Sequence, residues 1–363
     1  MWALPYGSSM AGSTGLTRAM GASWWTMGPT HLRRPTITRR RRGATGLVNA
    51  IQRSDAGTMF DESSFMYAHA DNAGIYSRAV YTNGTEHKEA VLERLRKLQE
   101  QCDSGLLLYR SVGGATGAGL CERLLHDTLP RVIDFCILPF LESPNSILEP
   151  YNVVLGLGSR PSLSFVFGND ALGKMCQDQR HDGLRPTFRD INKLVARTIS
   201  TIAKGLTCWT HSTWCPTPTC LSCHATMLRL AQEGGAEQEI KLMALCLLYR
   251  GRNMAIDEVR VAVERLKSDS RLTWADGSNK FACSVLDQDH ETSCVAVANS
   301  SLFVSYLTKL LAKFKFLWNP RAYTSRIVGE GMSSREINEA LYNVEQLVEN
   351  YSSCDPPKPW PRR

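Results

Sequence analysis

The chain has 363 residues, too many for one minimal domain, so two domains or one large α/β unit with appendages is the starting expectation. Hydrophobic residues make up 43% and charged residues 21%, the balance of a globular chain with a sizeable core, and no run approaches 18 apolar residues without charge, which argues against a membrane-spanning helix. The net charge of +7 is concentrated: RRPTITRRRR (33–42) holds six arginines and the final PPKPWPRR is also basic, the pattern of solvated tails or of contacts with nucleic acid or acidic surfaces.

Residues 1–62 read as a basic, disordered leader. Up to residue 45 they are rich in Gly, Ser, Thr, Met and Arg with little acid, as in a transit peptide. EHKEAVLERLRKLQEQ (86–101) is an amphipathic helix with Val91, Leu92, Leu95 and Leu98 on one face. GLLLYRSV is a short apolar run, as expected of a strand covered on both faces. A glycine-rich loop follows, then the helix GLCERLLHDTLP, stopped by Pro130, then the buried strand RVIDFCILPF (131–140). This alternation is the grammar of a doubly wound parallel sheet.

TFRDINKLVARTISTIAKGL (187–206) is a long helix with Thr187 as N-cap and Ile191, Leu194, Val195, Thr198 and Ile202 on one face. Residues 207–236 break the periodicity. IKLMALCLLYRG, RLTWADGSNKFACSVL and CVAVANSS read as strands, AIDEVRVAVERLK as a helix. Two more helices close the chain: 301–318, and 333–351 with Ser333 or Ser334 as cap and Glu336 in its first turn. In the first of these, Leu302, Tyr306, Leu307, Leu310, Phe314 and Leu317 form a core-facing side and the lysines are solvated. Most of the twelve cysteines, among them Cys136, Cys246 and Cys294, sit singly in apolar runs, as buried free thiols do in a reducing compartment. The sequons at Asn83, Asn299 and Asn350 are then unused.

The loop SVGGATGAGL (111–120) decides the functional reading. Glycines between a strand and a helix let an anion reach backbone N–H groups at the positive end of the helix dipole. Ser111 and Thr116 add hydroxyls. A tight junction alone needs one glycine, and four with a threonine favour phosphate binding. The spacing from Gly114 to Gly119 fits G-x-x-x-x-G, but Leu120 and Cys121 replace the Lys-Ser/Thr of a P-loop. G-x-G-x-x-G fails as well, because the sixth position from Gly117 is Glu122.

SVGGATGAGL resembles instead the signature of the tubulin family, normally Gly-Gly-Gly-Thr-Gly-Ser-Gly and here GGATGAG (113–119). Further segments are similar in family order: FMYAHADNAGIYSRAVYTNG (65–84) to the loop that senses the terminal phosphate, ILPFLESPNSILEPYNVVLGL (137–157) to the ribose loop, FGNDALGKMC (167–176) and TFRDINKLVA (187–196) to the helices that read guanine, CLLYRGRNMAIDEVRVAVERLKS (246–268) to the second domain, and 297–351 to the last strand and final helices with their Gly-Glu-Gly-Met joint (329–332). The resemblance covers roughly 65–205 and 238–352. It implies an α/β fold: a Rossmann-like doubly wound GTPase domain, a core helix, a second mixed β/α domain and C-terminal helices. The implied boundaries are 1–62, the leader; 63–206, a truncated GTP-binding domain with the core helix; 207–237, a divergent Cys-rich segment; 238–352, the second domain and C-terminal helices; and 353–363, a basic tail.

Carried over residue by residue, the resemblance puts Ser111, Gly113, Gly114, Ala115, Thr116 and Gly117 around the phosphates of GTP, with Mg2+ as its companion. Glu149 is the ribose carboxylate, and Asn145 stands where some members carry aspartate. Asn169 and Asn192 read guanine, and Phe188 stacks on it in place of tyrosine. The departures weaken the site. The family's opening strand and Gly-Gln-rich loop have no counterpart in residues 1–60, and loss of that central strand would uncover apolar neighbours. Gly74 and Ile75 replace asparagines of the phosphate-sensing loop. No carboxylate lies between Asp190 and Glu233, so the acidic loop that completes hydrolysis is missing, and the tail is basic rather than acidic.

The expectation is a GTP-binding cytoskeletal protein of a minor class (delta, epsilon or zeta), associated with microtubules, centrioles, basal bodies or cilia in the cytoplasm, with weak or no hydrolysis and residual GTPase at most. Its partners would be other tubulin subunits or microtubule and centriolar proteins, with neither membrane nor nucleic acid. Two rivals stand beside it. One is a pseudo-GTPase that binds a partner structurally without nucleotide. The other is a zinc-dependent nucleic-acid-binding protein built on Cys208, His211, Cys215, Cys220, Cys223 and His224.

Overall fold

The computed structural model describes residues 2–5, 53, 71–100, 106–128, 132–142, 144–158, 163–178, 185–209, 224–227, 240–251, 256–267, 272–274, 280–287 and 293–353. The arginine run, the stretch from His211 to Cys223 and the basic C-terminal tail lie outside the described residues.

The strands are β1 (Trp2–Pro5), β2 (Leu106–Ser111), β3 (Val132–Leu138), β4 (Leu163–Gly168), β5 (His224–Met227), β6 (Ile240–Gly251), β7 (Leu272–Trp274), β8 (Lys280–Asp287) and β9 (Ser293–Ser300). They form one sheet in the order β1-β2-β3-β4-β5-β9-β6-β7, with β8 also on β6. β2 to β5 run parallel, as βαβ crossovers require, and β9 turns antiparallel to both β5 and β6. β2 and β3 are buried along almost their whole length, which is why they read as apolar runs rather than alternating ones.

Two short strands escape the sequence reading. β1 pairs antiparallel with β2, Trp2 opposite Tyr109 and Pro5 opposite Leu106. Residues 1–60 thus supply a short strand at the edge of β2, running antiparallel to it. β5 lies inside the segment without periodicity. Four residues are too few to show any period.

The helices are α1 (Asn83–Glu100), α2 (Cys121–Thr128), α3 (Glu149–Leu157), α4 (Asn169–Asp178), α5 (Phe188–Trp209), α6 (Ile256–Lys267), α7 (Leu302–Trp318), α8 (Thr324–Val328) and α9 (Ser334–Ser353). Each of α1 and α2 is entered through a five-residue π-helical turn, Arg78–Thr82 and Thr116–Leu120. α5 starts on a cap in which Thr187 N–H and Oγ1 both donate to Asp190 Oδ2, at 2.9 and 2.7 Å. α9 adds the return bond: Ser333 N–H and Oγ donate to Glu336 Oε2, and Glu336 N–H donates to Ser333 Oγ.

α5 covers one face of the sheet. Ile191, Val195, Ile199 and Ile202 pack on Tyr109, Phe135, Phe165 and Phe167, and the cluster extends to Cys246 and Leu248 of β6. The other face is covered by α3, α7 and α9, where Val112, Leu138 and Val166 meet Tyr151, Phe314 and Val344. On α7 the buried residues are Phe303, Leu307, Leu310, Leu311, Phe314 and Trp318. Leu302, Tyr306 and Leu317 are only partly covered, so the core face is rotated from the one read off the sequence. Cys136 and Cys246 are buried as expected, whereas Cys294 is exposed.

One polar pair breaks the apolar wall. Arg110, fully buried, donates Nε to Asp134 Oδ1 and Oδ2 at 3.1 and 3.0 Å, Nη2 to Oδ2 at 2.9 Å, and Nη1 to Gly156 O at 3.1 Å. Burial works against the guanidinium's charge and the Asp134 carboxylate more than offsets it. The pair ties β2 to β3 and to the end of α3, directly beneath the glycine loop.

Candidate functional site

Val112 continues the parallel ladder one residue past β2, donating its N–H to Ile137 O at 3.1 Å. The chain then leaves the sheet. A Cβ on Gly113 would stand 3.0 Å from Pro139 Cβ, and one on Gly117 would stand 2.1 Å from Ser111 O. One on Gly119 would stand 2.6 Å from Tyr76 O, yet one on Gly114 would meet nothing within 4 Å. Three of the four glycines are therefore required by internal packing, and Gly114, exposed, is the one that leaves backbone open to a ligand. Ala115 already has helical angles, and the first helical bond runs from Ala118 N–H to Gly114 O at 3.1 Å. The amides before it belong to the positive end of the helix.

The glycine loop is held from the side by residues 71–83. Asn72 Nδ2 donates to Thr116 Oγ1 at 2.7 Å, and Asn83 Nδ2 donates to Asn72 Oδ1 at 2.7 Å. Asn152 Nδ2 donates to both Gly113 O and Gly74 O, each at 3.1 Å. Ala73 and Gly74 take left-handed angles, φ 51° and 72°, which turn the chain back toward the glycine loop. Asn72, two positions before Gly74, supplies the amide on this side of the loop. Asn72, Asn83 and Asn152 were not among the predicted residues, and Asn152 alone sat in the EPYN element (149–152) of the ribose-loop resemblance.

The loop after β3 carries Asn145 and Glu149. Asn145 N–H donates to Glu149 Oε2 at 3.1 Å, and Glu149 opens α3 with Pro150 behind it. Burial pushes the Glu149 carboxyl up to about 7, against the pull of Asn145 and Lys313. The loop has three anchors: Tyr306 OH donates to Pro139 O at 3.2 Å, Leu141 N–H donates to Asp170 Oδ2 at 3.0 Å, and Lys313 Nζ donates to Leu141 O. Lys313 is thus a loop-holding residue and not the solvated lysine expected from the sequence.

Asn169 follows directly on β4 and opens α4, half-buried. Phe188 and Asn192 lie in the first turn and a half of α5. Phe188 is 37% exposed and meets Phe140 edge-to-face, ring centres 6.1 Å apart. Asn192 is buried and its Nδ2 has no hydrogen-bond partner. Phe140 was not predicted, and its place after an apolar strand gave no signal. The strand register sets Ser111 beside Ile137, and Leu138 beside Gly168. The glycine loop, the 139–149 loop and Asn169 therefore stand in a row at the carboxyl ends of three parallel strands, where open α/β sheets bind ligands.

The residues fit a purine nucleotide. The orphaned Asn192 amide has donors for a base edge, Phe188 offers a ring face, Glu149 offers two acceptor oxygens for hydroxyls, and Gly114 leaves backbone open for phosphate. Mg2+ held through phosphates draws few protein ligands. Among the described residues no group of three or more His, Cys, Asp and Glu side chains comes together. The side chains of the Cys208–His224 cluster lie outside the described residues, and so does the zinc reading. No helix among the described residues is long and apolar enough to cross a membrane.

Comparison with known proteins points the same way. The family model for the Tubulin/FtsZ family, GTPase domain, matches residues 47–177. The chain is 25% identical over 366 residues to the tubulin alpha chain of Dictyostelium discoideum, covering 85% of this chain and 80% of that one. It is 26% identical over 363 residues to the nucleomorph tubulin alpha chain of Guillardia theta (85% and 81%), and 27% identical over 366 residues to the tubulin alpha-4 chain of Drosophila melanogaster (84% and 78%). The sheet and helices above form an α/β fold of the tubulin-like, Rossmann-like kind, and residues 47–177 are similar to the Tubulin/FtsZ GTPase domain.

Proposed function

We propose that this chain is a GTP-binding cytoskeletal protein that assembles with tubulin-type subunits in the cytoplasm. The observation that carries the reading is the buried, partnerless Nδ2 of Asn192 beside the exposed ring of Phe188, at the carboxyl ends of the parallel strands. A buried amide without a partner costs about 1–3 kcal/mol, and a base edge that accepts from it removes that cost. In this reading Asn169 and Asn192 read guanine, Phe188 stacks on it, Glu149 with Asn145 beside it takes the ribose hydroxyls, and Ser111, Gly113, Gly114, Ala115, Thr116 and Gly117 surround the phosphates with Mg2+.

The finer reading is a minor tubulin class at centrioles or basal bodies, with little turnover. Its support is the absence of a carboxylate between Asp190 and Glu233, against relatives that are alpha chains. A structural role without nucleotide is the second reading, favoured by how fully the glycine loop is bonded within the chain.

Titration of the full chain with fluorescent GTP and ATP analogues tests the first reading. Saturable binding that prefers guanine and weakens in Asn192→Ala supports it. No saturable binding at high micromolar ligand overturns it in favour of the second. Co-sedimentation with microtubules, and phosphate release measured beside it, address assembly and turnover.

A further inference from the structure

The residues that flank the glycine loop are held in turn from the far end of the chain. Arg78, in the π-helical turn six residues after Asn72, donates Nε to Glu330 Oε1 at 2.8 Å, with Nη2 on the same oxygen. Thr82 Oγ1 donates to Glu330 Oε2 at 3.2 Å. Tyr81 OH donates to Glu336 Oε1, and its ring packs 3.7 Å from where a Cβ on Gly331 would be. Glu330 and Gly331 form the joint between α8 and α9, and Gly331 holds a left-handed φ of 102° that brings the joint round to Tyr81. Two carboxylates from the C-terminal helices thus grip three side chains of one five-residue turn.

That turn is in rigid contact with the glycine loop. Gly119 lies against Tyr76 O and Ala79 Cβ with no room for a side chain. Asn72, Asn83 and Asn152 complete the connection by hydrogen bonds at 2.7 to 3.1 Å. A continuous set of bonds and packed atoms therefore runs from Glu330 through Arg78, residues 72–76 and Asn152 to Gly113 and Thr116.

We propose that Glu330 and Glu336 are positioning residues for the phosphate side of the site: by fixing residues 78–82 they fix Asn72 and the Gly74 carbonyl against the glycine loop, so that phosphate binding and the seating of the α8–α9 joint are coupled. The proposal rests on the nucleotide reading for its ligand, but the mechanical part does not need a ligand. Coupling of this kind is reciprocal, so a bound nucleotide steadies the joint as much as the joint steadies the site.

Two measurements on the full chain test it. The first is hydrogen exchange of the ligand-free protein, wild type against Glu330→Gln. Faster exchange at amides 112–118, roughly tenfold for the loss of one charge-assisted bond, supports the coupling; unchanged exchange there, with faster exchange confined to 78–82 and 329–332, overturns it. The second is titration with a fluorescent GTP analogue. Affinity falls about tenfold in Glu330→Gln and recovers in the swapped pair Arg78→Glu with Glu330→Arg. Wild-type binding with an equal affinity in Glu330→Gln overturns the proposal alone. No binding by the wild type overturns the nucleotide reading, and the exchange result then decides the coupling by itself. A melting curve of each variant separates a global loss of fold from the local effect.

Discussion

On the phosphate side of the site the polar groups meet other protein groups: Thr116 meets Asn72, Asn72 meets Asn83, and Gly113 and Gly74 share the amide of Asn152. On the base side Asn192 buries an amide with no partner and Phe188 leaves over a third of its surface in solvent. The first side is finished by the fold, and its geometry exists before any ligand arrives. The second is held in place at some cost to stability by the packing of α5, and in the proposed reading a bound base completes it. Substitutions on the two sides should therefore have opposite signatures: loss of fold on one, loss of affinity with little change in fold on the other.

The strongest way to break the first side lies beneath it. Asp134→Ala leaves the Arg110 guanidinium buried without a counter-charge and should cost about 3–5 kcal/mol in chemical denaturation, whereas Arg110→Met with Asp134→Leu should cost less than the single change. Next come two glycines of the same loop. Gly117→Ala drives a Cβ to 2.1 Å from Ser111 O and should cost about 3 kcal/mol, while Gly114→Ala, into open space, should leave the melting temperature unchanged. If the two alanines behave alike, the division between packing and ligand glycines is wrong.

The comparison sharpens at two asparagines. Asn152→Ala removes both bonds of one amide and should cost about 2 kcal/mol of stability. Asn192→Ala removes a donor that has no partner, so the ligand-free protein should shift by less than about 1 kcal/mol while guanine-nucleotide affinity drops about 10- to 100-fold. A separate effect is in pH. Burial lifts the folded Glu149 carboxyl to about 7 from its ordinary 4.5, so between these values the folded state holds a proton that the unfolded state has lost. Stability should then fall as pH rises from about 4.5 to 7, and Glu149→Gln should flatten that segment of the profile.

The frame was legible because β2, β3, β6 and α5 bury side chains in long, regular patterns. Glu336 and Asp190 announce their caps three residues from Ser333 and Thr187. Arg110 and Asp134 were not legible, since one charged residue in each of two apolar runs carries no sign that register will bring them together. Asn72 and Asn152 stayed hidden for the same reason: the bonds that tie them to the glycine loop span 44 and 39 residues. Asn145, Asn169 and Asn192 came from the order of family-like segments, since no spacing rule picks out an asparagine. On α7 the face misled because the helix is covered from two sides, by α3 and α9, so its apolar arc is too wide to point one way.

The grip of Glu330 on Arg78 spans 252 residues of sequence, and that of Glu336 on Tyr81 spans 255. A ribosome makes the glycine loop about 210 residues before the joint of α8 and α9. At ordinary rates of synthesis roughly ten to forty seconds separate the two. Through that interval the nascent chain carries its glycine loop with the Asn72 and Asn152 bonds within reach and the outer brace still unmade. Newly made chains thus pass through a stage in which the glycine loop is unbraced, and emergence of the α8–α9 joint is the event that lets the brace close.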